Sequence, residues 1–342
     1  KKYFLLHFVL IQAYWDQRYV CDTCRVGFAK LKNYESHLHG KRHAAARALG
    51  DLAATAFQTS HWANDHDAVR CEFNMDYFLR DMPRRSMNGV ISPRVTIDSL
   101  GKAHRAQLFR YLHDRLAPSS VQAILSVDPK YGRLKELLES VEFFLTVERR
   151  ILQRKQDSSL QTIEDVATGH GLVAHLLAAQ YYPHLQVTSS DIVRRDSWNA
   201  WSMAFANAGC PTPQFRLCDA QHIKLTNTTL LVCVHGCDDV NKIILDKAKV
   251  ANAPWISMPC CLKATNYIDM QTSKGSRSSW TPLTDDMRYI FLCGALARQF
   301  DATAVDIIDS RITARSIVLS GGFPPLIRKT SYSSPIQRSG HM

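Results

Sequence analysis

The strongest constraint on the fold is an alternation that begins near residue 161. Five short apolar runs, I-E-D-V-A-T (163–168), L-Q-V-T-S-S-D (185–191), Q-F-R-L-C-D (214–219), L-L-V-C-V-H (230–235) and W-I-S-M-P (255–259), are separated by stretches with helical patterning. Strands alternating with helices at this spacing pair in parallel through crossover helices, which gives an open α/β sheet covered on both faces. Two later runs, A-V-D-I-I-D-S-R-I (304–312) and R-S-I-V-L-S-G (315–321), stand two or three residues apart. A gap that short admits only an antiparallel hairpin.

A second constraint is local. In Y-V-C-D-T-C-R-V-G-F-A-K-L-K-N-Y-E-S-H-L-H-G-K-R-H (19–43), Cys21 and Cys24 are two residues apart, His37 follows after twelve and His43 after five more. This is Cys2His2 spacing: two thiolates on a knuckle and two imidazoles on one helix face close a tetrahedron around Zn2+. Phe28 and Tyr34 supply the small core, and His39, two residues from His37, turns to another helix face. The run from Phe28 to His43, F-x5-Y-E-x-H-L-x-G-K-R-H, resembles the matrin-type or U1-small-nuclear-ribonucleoprotein-type finger. That resemblance implies structured RNA or a ribonucleoprotein as partner. One DNA-reading finger covers only ~3 base pairs, so backbone contact through Lys30, Lys32, Lys41 and Arg42 is the expectation, with docking on protein as the alternative.

The chain carries 42 Lys+Arg against 31 Asp+Glu, a net charge of +11 that favours polyanionic partners. Its composition reads as that of a soluble globular protein. Ten cysteines over 342 residues do not make the dense framework of a small secreted domain, so a reducing compartment is expected. The N-terminal segment, 1–18, holds an apolar run shorter than the ~20 residues needed to cross a bilayer, and no membrane association is expected. The first residue, Lys1, is compatible with a processed leader; the mitochondrial matrix is the expected location, with nucleus or nucleolus as the alternative. After the finger (19–46), a polar connector (47–94) reads as surface loop, and its His61, His66 and Cys71 lack a fourth ligand at suitable spacing. A helical block (95–157) follows. Leu134, Leu138, Val141, Leu145 and Leu152 repeat at 3.6-residue spacing there, and the cations of E-R-R-I-L-Q-R-K-Q suit the end of a helix. The tail, 323–342, is Pro/Ser-rich and basic; it and the finger are candidate surfaces for protein partners.

Within 158–322, I-E-D-V-A-T-G-H-G-L-V-A-H (163–175) ends a strand, turns through Gly169 and Gly171, and enters a helix. Such glycines let backbone approach a ligand, and the helix start presents free N–H groups. Asp191, at the tip of the second strand, can accept both ribose hydroxyls of an adenosine; Asp219, at the tip of the third, can lie near the adenine amine. A nicotinamide-binding loop would want a third glycine where Ala174 stands, a replacement that pattern tolerates, so a dehydrogenase-like chain is one reading. The antiparallel last strand, with the acid-x-x-x-G-x-G of Asp165, Gly169 and Gly171 and with Asp191 and Asp219, resembles the class I S-adenosylmethionine-dependent methyltransferases. The resemblance implies a Rossmann-like seven-stranded sheet and S-adenosylmethionine as cofactor. The segments H-G-C-D-D-V-N-K, M-P-C-C and D-S-R-I-T-A-R further resemble a eukaryotic branch related to the enzymes of tRNA and ribosomal RNA, with a His-x-Cys segment after the fourth strand and Pro-Cys-Cys after the fifth.

V-C-V-H-G-C-D-D-V-N (232–241) falls at the carboxyl end of the fourth strand, where open α/β sheets bind ligands. Four readings compete. Cys233, His235, Cys237 and one of Cys260 or Cys261 could ligate zinc, although the first three crowd along one strand. Cys260 or Cys261 could attack a base, with Asp238 or Asp239 as acid. His235 or Asp238 could orient or deprotonate an RNA acceptor for direct transfer. Or the cysteines pack as small hydrophobes. Asp309, Arg311 and Arg315 offer either an RNA-phosphate contact or an ordinary Asp/Arg pair. The leading expectation is an enzyme that methylates structured rRNA or tRNA; its alternative is an inactive methyltransferase-fold component of a ribosome-like ribonucleoprotein.

Overall fold

The structure is a computed structural model that describes residues 19–21, 26–28, 30–40, 43–44, 73–84, 89–153, 159–267 and 284–323. His61, His66, Cys71, the first 18 residues and the tail from 324 lie outside the described residues.

In the finger, β1 (Tyr19–Cys21) pairs antiparallel with β2 (Val26–Phe28), Cys21 opposite Val26, and helix α1 (Leu31–Leu38) packs on both strands. Further along come α2 (Met75–Arg80), α3 (Lys102–His113), α4 (Pro118–Ser126) and α5 (Leu134–Gln153). From there strands and helices alternate: β3 (Thr162–Val166), α6 (Leu172–Tyr181), β4 (Gln186–Asp191), α7 (Asp196–Asn207), β5 (Gln214–Leu217), β6 (Thr229–Val234), α8 (Val240–Ala251) and β7 (Trp255–Met258). The chain then runs through α9 (Asp285–Gln299) into β8 (Ala302–Ile307) and β9 (Ile317–Gly321).

All five sequence-predicted parallel strands form. The seven-stranded sheet has the order β5-β4-β3-β6-β7-β9-β8, parallel from β5 to β7, with β9 antiparallel to both neighbours. This differs from the doubly wound nicotinamide-binding order 3-2-1-4-5-6 by its antiparallel hairpin. Burial follows position. β6, at the centre, is buried from Thr229 to Cys233, whereas edge strand β8 alternates exposed and half-buried residues. Helix α6 is buried from Leu172 through Ala178 because α5 and α7 cover the side that the sheet does not.

Helix α5 buries Leu134, Leu138 and Val141, together with Leu137, Phe144 and Val147, while Leu145 and Leu152 are half-buried. Of its terminal cations, Arg149 reaches Asp306 Oδ1 on β8 at 3.1 Å and Arg150 pairs with the other oxygen, so they pin α5 to the sheet edge.

Two expectations need correction. Of the connector 47–94, read as surface loop, the described stretches 73–84 and 89–94 contribute to the main core: Phe78 and Leu79 are completely buried, and with Ile91 they join Leu108, Leu138, Ile163 and Leu172 in one apolar cluster. Six residues of helix are too few to show a period, and the polar flanks obscured it. The final hairpin is antiparallel as expected, but its connection spans 308–316. Ile308 and Ile312 are buried as plugs of that loop, so their hydrophobicity mimicked strand continuation. Arg311 completes the loop by gripping Asp309 at 2.6 Å and Asp76 of α2 at 2.7 Å, an ordinary Asp/Arg pairing.

The burial of Phe78 has a measurable consequence. Phe78→Ala is expected to lower stability to urea by about 3–5 kcal/mol. A change within about 0.5 kcal/mol, as for a surface position, would return the segment to the surface.

Candidate active site at the switch point of the sheet

β3 and β6 lie side by side, Asp165 opposite Val232, yet the chain leaves β3 toward β4 and leaves β6 toward β7. The crossover helices diverge there, opening a crevice beyond the strands' carboxyl ends. Two loops face it.

The loop after β3 takes three left-handed residues in five: Ala167 (φ 55°), Gly169 (φ 58°) and Gly171 (φ 85°). At the non-glycine Ala167 this costs about 1–2 kcal/mol, offset by hydrogen bonds around it. Thr168 Oγ1 donates to Asp165 Oδ2 at 2.6 Å, Gly169 N–H to Asp191 Oδ2 at 3.0 Å, and Gly171 N–H to Thr168 O at 2.9 Å. The two glycines do different work. A Cβ on Gly171 would stand 2.2 Å from Trp198 Cδ1, so this glycine makes room for an indole anchored to Ser189 Oγ at 3.1 Å. A Cβ on Gly169 would meet nothing closer than Ala167 O at 3.9 Å. Its free side is available to a ligand.

The three acids differ as sharply. Asp165 is buried, and burial, reinforced by the charges of Glu164 and Asp191, raises its carboxyl to about 7 although the Thr168 hydroxyl opposes the shift. It serves the loop rather than the crevice. Asp191 is half-buried at the tip of β4, accepting Gly169 N–H with one oxygen and Val193 N–H, at 3.2 Å, with the other. Asp219 is exposed beyond β5 and accepts Gln221 N–H at 2.8 Å. Cys218 N–H bonds to Asp191 O at 2.9 Å, which ties these tips together. Ile192, Val193 and Leu217 expose more than half of their surface beside them, an apolar lip that loop and edge-strand residues do not announce by any period.

On the opposite side, β6 ends in a bend with His235 (φ 58°) and Asp238 (φ 53°) left-handed. His235 N–H donates to Met258 O at 2.9 Å and Asp238 N–H to Cys261 O at 3.1 Å, so the loops after β6 and β7 are zipped together. Buried Asn241 secures the bend: its Nδ2 donates to Gly236 O and its Oδ1 accepts Ser257 Oγ–H at 2.7 Å.

His235 Nε2 lies 2.9 Å from Glu139 Oε1, a buried carboxylate of α5 whose other oxygen accepts Lys135 Nζ at 2.9 Å. Burial alone would push Glu139 up; the contact and charge of His235, then Lys135 and Thr313, outweigh it and hold the group down at about 2. The His235 Nε2 edge therefore faces an ionised Glu139, while its Nδ1 is buried and has no hydrogen-bond partner among the described residues. Next along α5, Ser140 Oγ stands 3.5 Å from His170 Nε2, and His170 Nδ1 accepts Leu172 N–H at 3.3 Å. One helix thus touches both loops. Glu139 and Asn241 were missed from sequence, since charged or amide residues on a helix ordinarily face water.

The proposed ligand set Cys233, His235 and Cys237 does not converge. Cys233 is fully buried, with its thiol pushed up by burial. His235 turns to Glu139, and Cys237 lies 3.2 Å, sulfur to sulfur, from Cys260. Burial, with the neighbouring Cys237 and Cys261, also pushes the Cys260 thiol up, against the needs of a nucleophile. Asp238 is exposed, 3.8 Å from Lys263, which pairs more closely with Asp239 at 2.8 Å.

In the finger, the rings of His37 and His43 come together edge-on with centroids 5.2 Å apart, an approach that fits two imidazole ligands of one Zn2+. Lys30 and Lys32 are exposed; Cys24, Lys41, Arg42 and the side chain of Cys21 lie outside the described residues.

Residues 19–43 match the zf-met family, zinc-finger of C2H2 type, and the finger implies zinc. No curated protein matches the chain. Among solved structures, the ribosomal protein L11 methylase of Lactobacillus delbrueckii subsp. bulgaricus is 12% identical, with a TM-score of 0.31, covering 52% of this chain and 77% of that one. Magnesium protoporphyrin IX methyltransferase of Synechocystis PCC 6803, with bound SAM, is 11% identical at a TM-score of 0.34, covering 54% and 79%. An rRNA methylase of Streptococcus thermophilus is 12% identical at 0.25, covering 30% and 63%. These likenesses are distant. The order of the sheet and its antiparallel hairpin are typical of the methyltransferase fold, which the chain carries behind an N-terminal C2H2 finger.

Proposed function

We propose that the chain transfers a methyl group from S-adenosylmethionine to structured RNA, rRNA or tRNA, with the zinc finger helping to hold the RNA. The observation that carries this reading is the crevice between β3 and β6. An open Gly169 fixed to Asp191 lies on one side, and a histidine oriented by a buried carboxylate lies on the other. When bound, the cofactor supplies a methyl group on an electrophilic sulfonium. Gly169, Asp191 and Asp219 are the residues that would hold it, with Ile192, Val193 and Leu217 offering apolar surface to its base. Exposed Asp238 or His235 would orient or deprotonate the acceptor hydroxyl or nitrogen, and Glu139 fixes the His235 ring through Nε2. Glu139 is a positioning residue, since it acts through His235.

A specific observation also favours the alternative, a methyltransferase-fold platform within a ribonucleoprotein. Both Asp191 oxygens are already engaged by backbone N–H groups, so the tip is satisfied without a ribose. Transfer of labelled methyl from S-adenosylmethionine to total RNA separates the two. The parent is expected to label RNA, and His235→Ala to lower the rate about 100-fold or more. Glu139→Gln should lower kcat with little change in KM, because the His235 ring loses the carboxylate that orients it at 2.9 Å. Absence of label with folded parent would leave the platform reading in place; an unchanged kcat in Glu139→Gln would remove that residue's role.

The finger is tested separately. Cys24→Ser should weaken RNA binding and make the fall of log affinity with log salt shallower, by about one unit of slope for each phosphate that the finger no longer neutralises. Unchanged affinity and slope would exclude the finger from RNA capture.

A further inference from the structure

Three thiols beside His235 play no part in the proposed transfer. Cys237 lies in the loop after β6, while Cys260 and Cys261 follow β7, and their sulfurs all fall within 4.8 Å of one another. Cys237 and Cys261 are exposed and Cys260 is half-buried, so solvent reaches the cluster. Zinc–thiolate bonds of about 2.3 Å place tetrahedral ligand sulfurs about 3.8 Å apart, between the 3.2 Å of Cys237 and Cys260 and the 4.8 Å span of the cluster.

The backbone is built to hold them there. Pairing of β6 with β7 ends at Val234 and Met258, but His235 N–H to Met258 O, Asp238 N–H to Cys261 O and the bridge between Asp238 and Leu262 carry the register on. Left-handed His235 and Asp238 bracket Cys237, a conformation that costs about 1–2 kcal/mol for each non-glycine residue. The buried Asn241 contacts to Gly236 and Ser257 sustain it. Strain of this kind persists where the surroundings over-determine it, and it gathers at ligand clamps. A disulfide would use two of the sulfurs and leave the third without purpose; a thiophilic cation uses all three.

We infer that Cys237, Cys260 and Cys261 bind a thiophilic divalent metal ion of the zinc class through three thiolates, with the fourth coordination position open to solvent. Binding releases three thiol protons to solvent and leaves a net charge of −1, which the ammonium of Lys263, beside Asp238 and Asp239, helps to balance. A site with three protein ligands and one open position accepts water or a donor atom of a substrate. The inference is independent of methyl transfer.

The test uses the full chain with Cys21→Ser and Cys24→Ser, which removes the finger's ion, and Co2+ as probe under reducing conditions. One Co2+ per chain is expected, with intense tetrahedral d–d bands and sulfur-to-cobalt charge transfer, bleached by added Zn2+. The bands should disappear on adding Cys237→Ser or Cys261→Ser and persist with Cys218→Ser. In the otherwise unaltered parent, Zn2+ should slow alkylation of the exposed Cys261, a measurement that needs no variant to fold. Absence of Co2+ uptake by folded chain, or a Cys237–Cys260 disulfide that takes up no cobalt after reduction, would overturn the inference. So would Cys261 alkylation that is indifferent to Zn2+.

Discussion

The parallel pairing of β3 with β6 is the interaction on which the rest of the site depends. It sets side by side the two strands from which the chain departs in opposite directions across the sheet, so their loops face each other with no helix between them. The candidate site is fitted to that gap. Trp198 packs where Gly171 lacks a side chain and holds the β3 loop to the sheet, while the β6 loop is bound to the β7 loop through main-chain hydrogen bonds. Helix α5, whose apolar face is buried against α6, presents Glu139 and Ser140 to the two loops from above. Here packing of a core helix and placement of a catalytic candidate are one event.

Two buried carboxyls, both pushed up by burial, are divided by their neighbours. Burial, with the charges of Glu164 and Asp191, outweighs the Thr168 hydroxyl at Asp165, so it holds its proton up to about 7. Its tighter grip on the proton in the folded chain stabilises at low pH, and that contribution disappears as pH rises through this value. Glu139 has an imidazole and an ammonium, so it ionises down to about 2. Its contribution is present above the ordinary glutamate range and disappears as pH falls toward that value. The first anchors a loop as a hydrogen-bonded group; the second stays an anion able to steady an imidazolium. Pairs of titratable groups pushed apart in this way are a common mark of acid–base sites.

The sheet was legible because buried parallel strands write themselves as uninterrupted apolar runs, and the carboxyl tips of such strands are where ligands gather. Asp191 and His235 could be placed at the crevice on that basis alone. What sequence withheld is long-range or conformational. Glu139 sits on a helix where a charge is normally solvated, and its pairing with Lys135 one turn away gives no hint of the tertiary approach of His235. Gly171 looks the same as Gly169 in a string of letters, yet one yields to Trp198 and the other stays open. Cys237 and the Cys260–Cys261 pair are separated by a helix and a strand, so their meeting is a product of register. The left-handed turns at Ala167, His235 and Asp238 leave no mark in residue type, since glycine would be the expected choice.

The central claim, that the crevice at the switch point holds S-adenosylmethionine, is tested most directly by calorimetric titration with S-adenosylhomocysteine. The account predicts saturable one-to-one binding by the parent and its abolition in Gly169→Val, whose branched side chain would occupy the open face of the loop, in a variant that still unfolds cooperatively in urea. No heat from the folded parent, or equal affinity in Gly169→Val, would contradict it.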